Sequence, residues 1–307
     1  MNPIHLDPLQ TIILALLQGV TELFPISSLG HTVIIPGLLP GIFGANSNNL
    51  VKDPNFLPLI VALHLGTSIA LVIYFWRDWW QVILTLINSI KQGEVKTGTE
   101  EWVTWLIIIG SIPAGLVGAV LKSPLESLFA SPAVAATFLV VNGSVLFLGD
   151  RMRMKSEAAL SVMNAKEREA HFRPLSSLTW KEAIVVGVAQ SLALIPGFSR
   201  SGATMVAGLG IRMSYEDAAR YSFLLGAPII GAAALLEVPQ LFNPLPTLST
   251  LGLIILGMVI AGVAAYLSTK FLMKYFETGR LTPFAIYCWI AGLAALLYLL
   301  AVLHTGA

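Results

Sequence analysis

The chain has 307 residues, 56% hydrophobic and only 11% charged, with a mean hydropathy of +0.78. Those values exclude a soluble globular domain and identify a polytopic membrane protein. Its net charge of +1 excludes a basic field for nucleic acid, and its single cysteine, Cys288, cannot form an intrachain disulfide.

In chain order, the N-terminal MNPIHLDPLQ has no basic stretch ahead of its apolar run, so no cleaved signal peptide is expected. Residues 9–24 are apolar but interrupted by Gln18, Thr21 and Glu22, then stopped by Pro25. At about 1.5 Å per residue that leg reaches roughly 24 Å, short of the ~30 Å hydrocarbon core. Residues 26–39 are shorter still and open with Ser27, Ser28 and His31. Two short, polar-tipped legs joined at a proline predict a re-entrant hairpin over 9–39, whose tip must line a cavity or be packed in protein. Residues 40–55, with Pro40, Gly41, Asn46, Asn48, Asn49 and Pro54, read as a loop.

A first span is expected over 56–76, closed by an interface belt of Arg77, Asp78, Trp79 and Trp80. A short interfacial helix over 81–90 and a polar loop over 91–101 follow. The second span, 102–121, should kink at Pro113, and the third covers 133–148. The polar segment 150–181 reads as partly helical and lying on the membrane surface. A second short leg over 183–195, a turn over 196–204 and a leg to 211 predict a second re-entrant hairpin over 183–211. Spans over 221–238, 251–266 and 283–303 complete the chain.

The expected fold is therefore all-α and polytopic, with two re-entrant hairpins and about six transmembrane helices. The halves resemble each other. The stretch from Leu17 to Ser28 sets beside Ala189 to Ser199, each with a proline followed at the third position by serine, Pro25 to Ser28 and Pro196 to Ser199. This predicts a first repeat over 1–150, a cytoplasmic connecting segment over 151–181 and a second repeat over 182–307. One hairpin plus three spans per repeat makes the second inverted relative to the first. Of the 18 Lys and Arg, only Lys52 and Lys122 fall in loops on the N-terminal side; fifteen fall on the other, and Arg200 lies between. The positive-inside rule makes the basic side cytoplasmic, so the first hairpin enters from outside and the second from inside.

That topology brings the two tips together. Pro196-Gly-Phe-Ser-Arg-Ser-Gly-Ala-Thr204 puts Arg200 among Ser199, Ser201 and Thr204 within strongly apolar sequence, and a charge at membrane depth marks a site. A guanidinium is a planar fork suited to phosphate oxygens, and a helix starting near Ser199 would offer its N–H groups to the same anion. Glu22 is the facing carboxylate, four residues from Gln18 on one helix face. A carboxylate there can hold a divalent metal, act as a base, or simply pair with Arg200.

Gln18-Gly-Val-Thr-Glu22 followed by Pro25-Ile-Ser-Ser-Leu-Gly-His31 resembles the first signature of bacterial undecaprenyl-diphosphate phosphatases, the bacitracin-resistance family. Pro196 to Gly202 with Thr204 is similar to the second. The likeness covers nearly the whole chain, including Ile109 to Ala114. It implies hydrolysis of undecaprenyl diphosphate, with a divalent cation, on the outer face of the bacterial inner membrane, recycling the carrier lipid for cell-wall synthesis. The family's first signature often begins with glutamate. Here Gln18 cannot be an anionic ligand, so Glu22 must carry the carboxylate chemistry. Carried over residue by residue, the catalytic set is Glu22, Ser28, His31 and Arg200. Gln18, Ser27, Ser199, Ser201 and Thr204 would bind substrate alongside Arg200, and Glu22 would hold Mg²⁺ or Ca²⁺. The resemblance leaves a phosphoserine, a phosphohistidine and a direct water route open; the favoured expectation is Ser28 as nucleophile with His31 as its base. The competing class is a transporter or flippase of an anionic polyprenyl lipid, which would need the inverted repeat but no nucleophile–base set.

Overall fold

The computed structural model describes residues 7–43, 56–93, 95–121, 131–160, 172–237, 239 and 247–305. Lys52, Lys122, Lys166 and Arg168, used in the charge count, lie outside them, as do Asn46, Asn48, Asn49 and Pro54 of the expected loop.

The first hairpin is α1 (Pro8–Thr21) and α2 (Ser28–Leu38). Asp7 caps α1 by accepting the Gln10 N–H, with Pro8 at the first helical position where its missing N–H costs nothing. A short turn of helix, α3 (Pro40–Phe43), begins the segment expected as loop. The first span, α4 (Phe56–Tyr74), ends at a bend of 83° into α5 (Trp76–Gln92). That helix starts earlier than the expected 81–90, so the aromatic belt forms its first turn. Trp76, Trp80, Ile83, Leu84, Ile87 and Ile90 make an exposed apolar stripe along it, as a helix lying at the membrane interface requires.

The remaining elements are α6 (Glu100–Val120), with Pro113 inside it, α7 (Pro132–Leu160), α8 (Trp180–Ser191), α9 (Arg200–Gly210), α10 (Tyr215–Glu237), α11 (Leu248–Tyr275) and α12 (Thr282–Thr305). Among the described residues five helices are long and apolar enough to cross a membrane, six if the bent α4–α5 pair is counted as one span. Two corrections concern length. α7 continues well past the expected end at 148, through the expected repeat boundary at 150/151, because no glycine or proline interrupts 150–160 and its charges find partners. Asp150 is fully buried, accepting the Tyr215 hydroxyl at 2.5 Å and the N–H groups of Leu281 and Thr282 at 3.2 and 3.0 Å, so it caps the start of α12 from the side of α7. α10 likewise starts six residues before the expected 221.

The packing has the two-fold character of an inverted repeat. The entering leg α1 lies against α11, and its counterpart α8 lies against α6; α4 packs on α10 and α7 on α12. Both tips, through α2 and α9, rest on α7.

Candidate active site

Each hairpin turns and starts a new helix on a capping serine. Ser27 Oγ accepts the Gly30 N–H at 3.1 Å, and Ser199 Oγ accepts the Gly202 N–H at 3.2 Å. The expected register, with Ser28 beside Ser199, is therefore shifted by one: Ser27 matches Ser199, and the first helical residues Ser28 and Arg200 match each other. The second turn holds one more residue after its proline and takes its left-handed step at Gly197, φ 93°. The first takes it at Ser27 itself, φ 69°, a strained conformation for a residue with a Cβ. The tips touch back to back: a Cβ on Gly30 would stand 2.9 Å from the Gly197 Cα, and a Cβ on Gly197 would fall 2.0 Å from the Ala135 carbonyl oxygen.

Asn142 of α7, fully buried, holds both turns at once. Its Nδ2 donates to the Pro25 carbonyl at 3.0 Å, and its Oδ1 accepts the Ser199 N–H at 3.0 Å. Ser201 Oγ adds a cross-tip bond to the Phe24 carbonyl at 3.2 Å.

Glu22 is the hub. Its Oε2 accepts from Ser28 Oγ at 2.5 Å and from Gln18 Nε2 at 3.2 Å; its Oε1 faces Arg200 Nη2 at 3.2 Å and Nε at 3.4 Å. The two first-turn residues, Ser28 and Arg200, thus grip opposite oxygens of one buried carboxylate. Arg200 Nη1 donates to the Ser222 carbonyl at 2.9 Å, so the guanidinium lies flat on α10. Only glycine fits beneath it, since a Cβ on Gly226 would come within 2.3 Å of Nη1.

These groups form the floor of a cavity of about 380 Å³. Glu22, Ser27, Ser28, His64, Gln190, Ser199 and Arg200 supply its polar floor, and Glu237, the last residue of α10, is a further polar lining residue. Its walls are small and apolar, from the C-terminal halves of α6 (Ala114, Gly118) and α10 (Ile230, Ala233). It extends toward the ends of those two helices, the side poor in basic residues.

Four expected site residues stand behind this floor, the first being Ser201, fully buried with its hydroxyl on Ser199 Oγ and the Phe24 carbonyl. Gln18 acts on Glu22 rather than on the cavity. Thr204 Oγ1 is taken up by the Arg200 carbonyl at 2.8 Å and Ser222 Oγ at 2.7 Å. His31 is turned away from Ser28. Its Nδ1 meets the Ser27 carbonyl at 2.6 Å, its Nε2 the Tyr287 hydroxyl at 2.8 Å, and its ring stacks on Tyr287. In the position expected for His31, hydrogen-bonded to Ser28, stands Glu22.

Two polar groups of the floor, His64 and Gln190, belong to neither expected set. His64, in the middle of α4, carries the signal of an ionisable side chain at membrane depth. Its Nδ1 faces the Ile60 carbonyl at 2.7 Å and so bears a hydrogen, because a carbonyl only accepts. That leaves Nε2, 3.3 Å from Glu22 Oε2, as the atom turned to the carboxylate. Protonated, the ring pairs with Glu22 as an ion pair; with Nδ1–H held by the Ile60 carbonyl, the same Nε2 is also the atom a ligating imidazole turns to a metal. Glu22 and His64 therefore fit a divalent cation as a partial site. Among the described residues no group of three or more His, Cys, Asp and Glu side chains could hold an ion. Water and phosphate oxygens would complete the shell, as is usual for Mg²⁺.

Compared with known proteins, residues 11–294 match the family model described as bacitracin resistance protein BacA. The chain is 40% identical over 301 residues to an undecaprenyl-diphosphatase of Mycolicibacterium paratuberculosis, covering 96% of this chain and 98% of that protein. It is 46% identical over 286 residues to undecaprenyl-diphosphatase 2 of Burkholderia thailandensis, covering 93% and 94%. An undecaprenyl-diphosphatase of Acidiphilium cryptum is 41% identical over 296 residues, covering 95% and 98%.

Proposed function

The chain belongs to the BacA family of bacitracin resistance proteins, and we propose that it hydrolyses undecaprenyl diphosphate to undecaprenyl phosphate and inorganic phosphate. That reaction returns the carrier lipid to cell-wall synthesis and opposes bacitracin. The observation that carries the mechanism is the 2.5 Å bond from Ser28 Oγ to Glu22 Oε2 at the foot of an apolar-walled cavity.

The diphosphate sits on the polar floor and the isoprenoid leaves along the small residues of α6 and α10. The first N–H groups of α2 and α9, unpaired within their own helices, point toward the anion. Arg200, pre-oriented by Glu22 and Ser222, holds phosphoryl oxygens and stabilises their charge in the transition state. Ser28 Oγ attacks the terminal phosphorus while its proton passes to Glu22. The bond to the bridging oxygen breaks and the lipid monophosphate leaves. Glu22 passes that proton to the departing lipid monophosphate. Water then gives its own proton to Glu22 and attacks the phosphoserine; the bond to Ser28 Oγ breaks as Glu22 returns the proton to that oxygen, and phosphate is released. A divalent cation held by Glu22 and His64 would supply further charge neutralisation on the phosphate oxygens. His31 supports this from behind, fixing the strained Ser27 carbonyl against Tyr287.

We further place the protein in the bacterial inner membrane with the site reached from the outer face. The charge asymmetry of the loops and the extension of the cavity toward the basic-poor side support that orientation. An inverted repeat would serve a flippase equally well; a serine paired with a carboxylate is what transport does not need. Purified protein releasing inorganic phosphate from undecaprenyl diphosphate tests the activity, and no release would overturn it.

A further inference from the structure

Gln190, near the end of α8, is 2% exposed, and both its side-chain polar atoms, Nε2 and Oε1, are buried without a hydrogen-bond partner. It lines the cavity beside Glu22 and Arg200. Burying a bare amide is unfavourable, and an apolar side chain of the same length would be tolerated better. The repeat shows how it came to be unpartnered. Its counterpart Gln18 donates to Glu22 four residues later, one helical turn on. Four residues after Gln190 the chain has Leu194, which is part of the cavity wall. The second repeat keeps the amide and replaces its acid with an apolar contact.

We infer that Gln190 is a substrate-binding residue whose Nε2 donates to a phosphate oxygen of the bound diphosphate, while Oε1 accepts from water or from a protonated phosphate oxygen. The assignment rests on the diphosphatase reading. Gln190 lies on the hairpin that carries Arg200, so one hairpin grips the anion with a guanidinium and an amide while the other carries the nucleophile. The neutral amide suits this place: a glutamate would repel the phosphates, and a lysine would compete with Arg200 for Glu22.

The test pairs stability with binding in the full-length, detergent-solubilised protein with Mg²⁺. The probe is farnesyl methylenediphosphonate, a non-hydrolysable isoprenyl diphosphate analogue. Gln190→Met removes the amide at nearly equal length. It should raise the thermal midpoint without ligand by a few degrees, shrink the shift produced by the probe, and raise KM about tenfold with a smaller change in kcat. Gln190→Glu should raise KM further. A purely structural glutamine would give the opposite pattern: Gln190→Met lowering the ligand-free midpoint while leaving KM and the probe shift at wild-type values. An amide satisfied by cavity water alone would likewise leave KM and the probe shift unchanged; either result overturns the inference. If the wild type is neither shifted by the probe nor able to hydrolyse undecaprenyl diphosphate, the diphosphatase reading itself falls.

Discussion

The two hairpin tips are built alike and carry different side chains at the site. Each bends at a proline, caps a new helix with a serine that accepts the N–H of a glycine three residues on, and presents the first helical residue to Glu22. In the first tip that residue is Ser28, in the second Arg200. The first leg pairs its glutamine with an acid, the second leaves its glutamine bare. On the proposed mechanism, one frame holds a nucleophile with its base on one side and an anion grip on the other. The lesson is that the same frame presents a different side chain, Ser28 or Arg200, to Glu22 from the first helical position, and the proposed chemistry divides there.

The largest effects should come from breaking the first tip. Ser28→Ala should lose essentially all phosphate release, and Glu22→Gln about 10²–10⁴-fold, since it removes the proton acceptor. Ser28→Ala should still bind the diphosphonate, and loss of binding together with rate would move Ser28 out of a chemical role. Breaking the second tip comes next. Arg200→Ala should cost roughly a thousandfold, and Arg200→Lys measurably less, because lysine restores charge without the fork. Equal and mild losses in both, with the fold intact, would remove Arg200 from the phosphate site.

Chelation tests the proposed ion and the pair, Glu22 and His64, that would hold it. Excess EDTA should silence the enzyme, and added Mg²⁺ or Ca²⁺ should restore it. His64→Ala should raise the half-saturating cation concentration by at least the roughly tenfold that even supporting residues produce. Full activity in EDTA would remove the cation from the account. The smallest effect on chemistry, and a distinct one on stability, belongs to the clamp between the tips. Asn142→Ala leaves the Pro25 carbonyl and the Ser199 N–H without their partner and should cost about 2–3 kcal/mol, read as a lowered thermal midpoint with a partly active enzyme.

The frame was legible in the sequence because its cues are local. A proline, polar residues and legs too short to span announce a re-entrant hairpin, and an odd number of spans per repeat gives the inversion. Glu22 facing Arg200 followed from that topology alone. What stayed hidden depends on side chains from distant helices. His31 sits three residues after Ser28 in the chain, yet its ring is claimed by Tyr287 of α12, which no local spacing reveals. Asn142 and His64 stand alone in apolar spans and become meaningful only when α7 and α4 pack against the tips. The long α7 was missed because Asp150 and the charges after it look like a membrane exit, although Asp150 is fully buried at the start of α12.

The division of labour between the tips makes its most direct commitment at Ser28 Oγ. Rapid chemical quench during a single turnover of undecaprenyl diphosphate, followed by peptide mass spectrometry, locates the transferred phosphoryl group. The account predicts a transient phosphate on Ser28 that decays as inorganic phosphate appears and that accumulates in no other peptide. A phosphate on His31, or phosphate release at the wild-type rate from Ser28→Ala, would contradict it.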